Sequence, residues 1–82
     1  MNEDQARLLL QRLLEEIAPD ADLADVGPDE PIQEALDLDS MDFLGLMTAL
    51  HDETGIDVAE RDYSALSTVG GFISYVTSHQ AR

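Results

Sequence analysis

The sequence predicts a small all-α fold, a four-helix bundle of three main helices plus one short helix, with a long ordered loop between the first two main helices. Three observations carry that prediction. Apolar residues recur at helical spacing in three separate segments. All three prolines, Pro19, Pro28 and Pro31, fall between the first and second of these segments and interrupt neither. Ile56 and Val58 alternate with Asp57, a pattern too short for a strand. The 82 residues allow one small domain, 1–82. A chain near this size buries only about 60% of the surface that its unfolded form exposes.

The first helix is expected over residues 3–17. Ala6, Leu10, Leu13, Leu14 and Ile17 form its apolar stripe, which Leu9 widens. Glu3 and Asp4 suit the positive end of the helix dipole, and Pro19 stops the helix soon after Ile17. Residues 18–39 show no clear period. Structureless loops longer than about 12–15 residues are uncommon in compact domains unless they have a function. This one carries Leu23, Val26, Ile32, Leu36 and Leu38, which are expected to plug the open side of the core.

A second helix is expected over residues 40–53, with Phe43, Leu46, Met47 and Leu50 on one face. Asp39 is a good N-cap, and Asp42 three residues later supplies the acidic half of a capping box. Gly55 suits the C-terminal stop. A brief helical turn follows around residues 60–63. Ser67 or Thr68 then caps a last helix whose Val69, Phe72 or Ile73, and Val76 share a face. Gly70 and Gly71 fall in its first turns, where they either permit close packing or weaken that end.

Composition excludes several functions. The absence of cysteine removes disulfides, thiolate metal sites and cysteine nucleophiles. No apolar run approaches the roughly 20 residues of a membrane helix, so stable membrane insertion is not expected. The acidic start does not resemble a signal peptide, and a cytoplasmic monomer is the expectation. Eighteen acids face four arginines and no lysine, and 14 of the acids lie in residues 20–62. A field of that sign repels nucleic acid and anionic lipid and steers the chain toward basic partners. It also suits a solvated face that keeps a small protein soluble, and composition does not separate the two. His51 and His79 lack the spacing of a zinc site. The acidic run over 37–42 lacks the glycine and oxygen ligand of a calcium loop. No metal site and no catalytic residues are expected, because nothing assembles a nucleophile, a base and an oxyanion site.

Ser40 is the residue of interest. A serine beside an aspartate at a helix start is commonly a cap and nothing more. The same position also presents a hydroxyl at the positive end of the helix dipole, where an esterified phosphate is favoured. The segment Leu36-Asp37-Leu38-Asp39-Ser40-Met41-Asp42-Phe43-Leu44 resembles the Asp-Ser-Leu signature of acyl carrier proteins, with Met41 in place of the usual leucine. Leu66-Ser67-Thr68-Val69, Ile73 and Tyr75-Val76 resemble the family's last helix, so the likeness spans nearly the whole chain.

The resemblance implies a non-catalytic carrier. A phosphopantetheinyl transferase would move phosphopantetheine from coenzyme A to Ser40, and acyl groups would ride as thioesters on the arm. Partner enzymes that load and unload it, in fatty acid, polyketide or specialised lipid biosynthesis, would carry basic docking surfaces. Asp39, Met41, Asp42 and Leu44 are the expected contact residues, because Met41 and Leu44 lie off the core face and are rimmed by acids. Gly45 stands where housekeeping fatty-acid carriers usually have an acidic contact residue, and Thr54-Gly55 replaces a more acidic-aromatic continuation. Both departures point to a specialised carrier. Two other classes stay open at this point: an aminoacyl or D-alanyl carrier, and an unmodified acidic interaction domain in which Ser40 only caps.

Overall fold

The structure is a computed structural model and describes residues 1–79. Three long helices form its frame: α1 over Glu3–Ile17, α3 over Ser40–Thr54 and α4 over Val69–Ser78. A single turn, α2, spans Ile32–Ala35, and 3₁₀ segments occupy Leu23–Asp25 and Glu60–Leu66. No strand occurs among the described residues, which fits the expected small helical bundle.

Each long helix begins on a side-chain cap. Asn2 and Gln5 close a reciprocal capping box at α1, with bonds of 2.8 and 2.9 Å. Thr68, rather than Ser67, caps α4 by accepting from the Gly71 N–H at 3.0 Å. Gly55 ends α3 in the left-handed conformation at φ 77°, as a C-terminal stop requires. The core stripe of α1 is Ala6, Leu9, Leu10, Leu13 and Leu14, and Ile17 is only partly buried. Phe43, Leu46, Met47 and Leu50 of α3 and Val69, Phe72, Tyr75 and Val76 of α4 complete the helical core, with Ile73 at its margin.

The long loop is ordered, as its apolar residues suggest. Leu23, Val26 and Ile32 are buried, and Leu36 and Leu38 pack against the core edge. Gln11 clamps the loop to α1 by accepting from the Leu23 N–H at 2.9 Å and donating to the Ala21 carbonyl at 3.0 Å. The loop is joined to the start of α4 by two main-chain bonds, Ile32 N–H to Ser67 O at 2.7 Å and Gly70 N–H to Pro28 O at 3.0 Å.

Two features differ from expectation. The loop contains the helical turn α2, which is too short for a periodic pattern to reveal. The short helix runs to Leu66 as a 3₁₀ segment instead of ending near Tyr63, because Leu66 anchors its end wholly inside the core. Gly70 and Gly71 serve close packing. A Cβ on Gly71 would lie 2.0 Å from the Ala65 carbonyl oxygen, and one on Gly70 would lie 3.1 Å from that of Pro28.

Candidate functional site

The path into Ser40 is fixed by two turns of backbone chemistry. Helix α2 closes when the Leu38 N–H donates to the Gln33 carbonyl at 2.8 Å, the six-to-one bond of a Schellman stop. That stop needs a left-handed residue, and Asp37 occupies it at φ 55°. Aspartate tolerates this conformation better than most residues with a Cβ. Half-buried Leu38 then ties the chain to the core edge, and Asp39 starts α3. The Asp39 carboxylate accepts from the Asp42 N–H at 2.8 Å, and the Asp42 carboxylate accepts from the Asp39 N–H at 3.2 Å. The predicted capping box is therefore present.

Ser40 is the first helical residue and is exposed. Among the described residues, the backbone N–H groups of Ser40 and Met41 have no protein acceptor, as helix starts leave them. This arrangement fits a phosphate ester on the serine. Two free amides and the positive helix end would face the phosphate oxygens. Asp39 and Asp42 beside them disfavour a free anion, so a covalent link is what such a site requires.

Met41 and Leu44 are 73% and 41% exposed, so the apolar pair lies off the core as expected. Asp39, Met41, Asp42 and Leu44 surround Ser40 on the first turns of α3. Gly45 faces elsewhere. A Cβ there would meet only the Ile17 side chain, at 3.9 Å, in ordinary contact.

Beside Ser40 lies a cleft of about 470 Å³ that the sequence did not announce. Gln33 of α2 forms one wall, Ser40, Phe43 and Leu44 of α3 another, and Glu60, Tyr63, Ser64 and Ser67 the third. Phe43 and Tyr63 meet edge to face with centroids 6.0 Å apart. The one sequence signal for this wall was the polar composition of the segment after Ala59, which by itself reads as a solvated turn.

The comparison with known proteins bears on this geometry. Residues 6–76 match the family described as the phosphopantetheine attachment site. The chain belongs to the acyl carrier protein family. An acyl carrier protein of Lactobacillus johnsonii is 38% identical over 55 residues, which is 67% of this chain and 69% of that one. As a member, the chain is a carrier and not a catalyst, and its prosthetic group is covalently attached phosphopantetheine.

Elsewhere the structure is plain. His51 is exposed, with Nδ1 3.2 Å from the Ile56 carbonyl oxygen. His79 stacks on the Tyr75 ring at 4.0 Å. Among the described residues, no group of His, Cys, Asp and Glu is arranged to hold a metal ion, and no helix is long and apolar enough to cross a membrane.

Proposed function

We propose that Ser40 bears the phosphopantetheine and that the first turns of α3 are where partner enzymes read this carrier. The observation that carries the reading is an exposed serine hydroxyl at the first position of α3, beside free amides, inside an Asp-Ser-Met signature. In the loading step the Ser40 oxygen bonds to the pantetheine-side phosphorus of coenzyme A. Adenosine 3′,5′-bisphosphate leaves, and the serine proton passes to a base of the transferase. When bound, the group supplies the thiol that this cysteine-free chain lacks and holds acyl groups as thioesters.

The chain's own contribution is presentation. Asp39 and Asp42 steer a basic partner surface and set its orientation, since rim charges act mainly on association. Met41 and Leu44 supply the buried contact. Gly45 beside them removes a charge that a partner could use, and we read the chain as a specialised carrier in acyl or lipid biosynthesis in the cytoplasm.

Mass spectrometry after incubation with coenzyme A, magnesium and a broad-specificity transferase tests the attachment. The wild type is expected to gain one phosphopantetheinyl mass, and Ser40→Ala none. A gain that survives Ser40→Ala, or no gain in the wild type, ends the assignment and leaves Ser40 as a cap. Partner choice is tested by Gly45→Glu, whose side chain has room beside Ile17. The holo variant is expected to turn over faster with general fatty-acid elongation enzymes than the holo wild type. If the wild type already matches a housekeeping carrier, the specialised reading is wrong.

A further inference from the structure

The cleft beside Ser40 is unlike a slot for hydrocarbon. Phe43 and Tyr63 give it an aromatic surface, but the rest of its wall carries the Gln33 amide, the Glu60 carboxylate and the hydroxyls of Tyr63 and Ser64. Among the described residues none of these four groups has a hydrogen-bond partner in the protein. The Ser67 hydroxyl differs, donating to the Ser64 carbonyl at 2.8 Å. The wall thus offers donors and acceptors together, in a cleft within the size range of small-ligand sites.

The interior beyond it is closed. Leu46, Leu50, Leu66 and Phe72 have no exposed surface, and Phe43 is buried against Tyr63. Protein interiors are packed at crystal density and hold few voids larger than a water molecule. A long alkyl chain entering beside Phe43 would have to displace these side chains.

We propose that the cleft holds the loaded end of the arm when the acyl group is short and bears a keto or hydroxyl group, and that the Phe43–Tyr63 pair denies the core to a long alkyl chain. This rests on attachment at Ser40, which itself lines the cleft. A cargo tethered there has an effective concentration of about a millimolar, so weak polar contacts suffice to keep it docked. Docking matches the cargo's oxygen to unpaired groups on the wall. An octanoyl chain offers those groups nothing and leaves them unpaired if it covers them.

The test loads the protein from acetoacetyl-, 3-hydroxybutyryl- and octanoyl-coenzyme A. Intact mass comes first, because failure to load at Ser40 defeats the attachment reading before the cleft is examined. Two readouts follow on the loaded proteins: backbone amide shifts relative to the holo form, and the rate of thioester cleavage by hydroxylamine relative to the same thioester on free pantetheine. The two short polar cargoes are expected to shift Gln33, Glu60, Tyr63 and Ser64 and to be cleaved about fivefold more slowly, the factor conferred by one net hydrogen bond. The octanoyl form is expected to show no protection and no shift at Leu46 or Phe72. Gln33→Ala and Ser64→Ala should keep the fold and the mass gain but lose protection of the short cargoes. Tyr63→Phe keeps the ring and should still exclude octanoyl, whereas a folded Tyr63→Ala should admit it. Protection of the octanoyl form in the wild type overturns the proposal, as does the absence of protection for both short cargoes.

Discussion

Tyr75 shows how one side chain can couple two parts of this small core. Its ring is buried on α4 and its hydroxyl donates to the Asp62 carboxylate at 3.2 Å. Its ionisation is pushed above the ordinary 10.0, first by burial, then by the Asp62 hydrogen bond and the nearby negative charge. A phenol whose folded pKa is raised stays protonated longer in the native state than in the unfolded chain. The stability it adds is therefore complete below the unfolded value near 10.0 and is lost as pH rises through the folded value. Thermal melts above pH 10.0 should show a fall that is shallower in Tyr75→Phe, and equal slopes would refute the coupling. Nothing in the sequence foretold this bond, because Asp62 and Tyr75 sit in different elements. Asp37 was equally hidden. Its left-handed φ of 55° depends on a stop for α2, an element the sequence pattern does not show. By contrast, the Asp39–Asp42 capping box was legible, because both partners lie three residues apart and the chemistry is local.

The three long helices were readable because each carries several apolar residues on one face, and periodicity accumulates with length. Helix α2 and the 3₁₀ turns are too short for that, and tertiary bonds to Ser67 and Pro28 hold their neighbourhood in place. The glycines separate the same way. Sequence alone left Gly70 and Gly71 as either packing or weakness, because a close approach from a distant segment leaves no local mark. The structure makes opposite predictions for two of them. At Gly71 an added Cβ would sit 2.0 Å from the Ala65 carbonyl oxygen, so the backbone must move. Gly71→Ala is expected to cost at least the about 1–3 kcal/mol of an overpacked core. At Gly45 the added Cβ meets only Ile17, at 3.9 Å. Gly45→Ala should stabilise α3 by up to about 1 kcal/mol through helix propensity. Urea unfolding of the two variants beside the wild type checks both signs, with the slope expected to stay constant. A neutral Gly71→Ala would mean that α4 and the Glu60–Leu66 segment pack less closely than described.

At the scale of the whole molecule, charge opposes the core. The principal extents are 32 × 24 × 20 Å, and a net charge of −14 is spread over that small body. This imbalance was plain from composition, as was its concentration in residues 20–62. The cleft beside Ser40 was not, because its walls come from three elements that only the fold brings together. Whether salt helps or harms the protein depends on which electrostatic term is larger. Attraction is represented by the Arg12–Glu53 pair, which is half-exposed on both sides. Exposed pairs of this kind contribute only about 0–1 kcal/mol, and salt weakens them. Repulsion acts among 18 acids, many within a screening length of one another in a molecule this small. At 0.15 M ionic strength the Debye length is about 8 Å, short enough to remove most interactions across the body. Screening therefore relieves more repulsion than it loses attraction. The melting temperature is expected to rise as sodium chloride increases from a few millimolar toward physiological strength. Magnesium should achieve the same rise at a lower concentration, because a divalent ion is drawn more strongly to clustered carboxylates. Melts across both series, with Arg12→Ala alongside, isolate the single ion pair from the general field. A melting temperature that falls with salt in the wild type but not in Arg12→Ala would assign the balance to that pair instead.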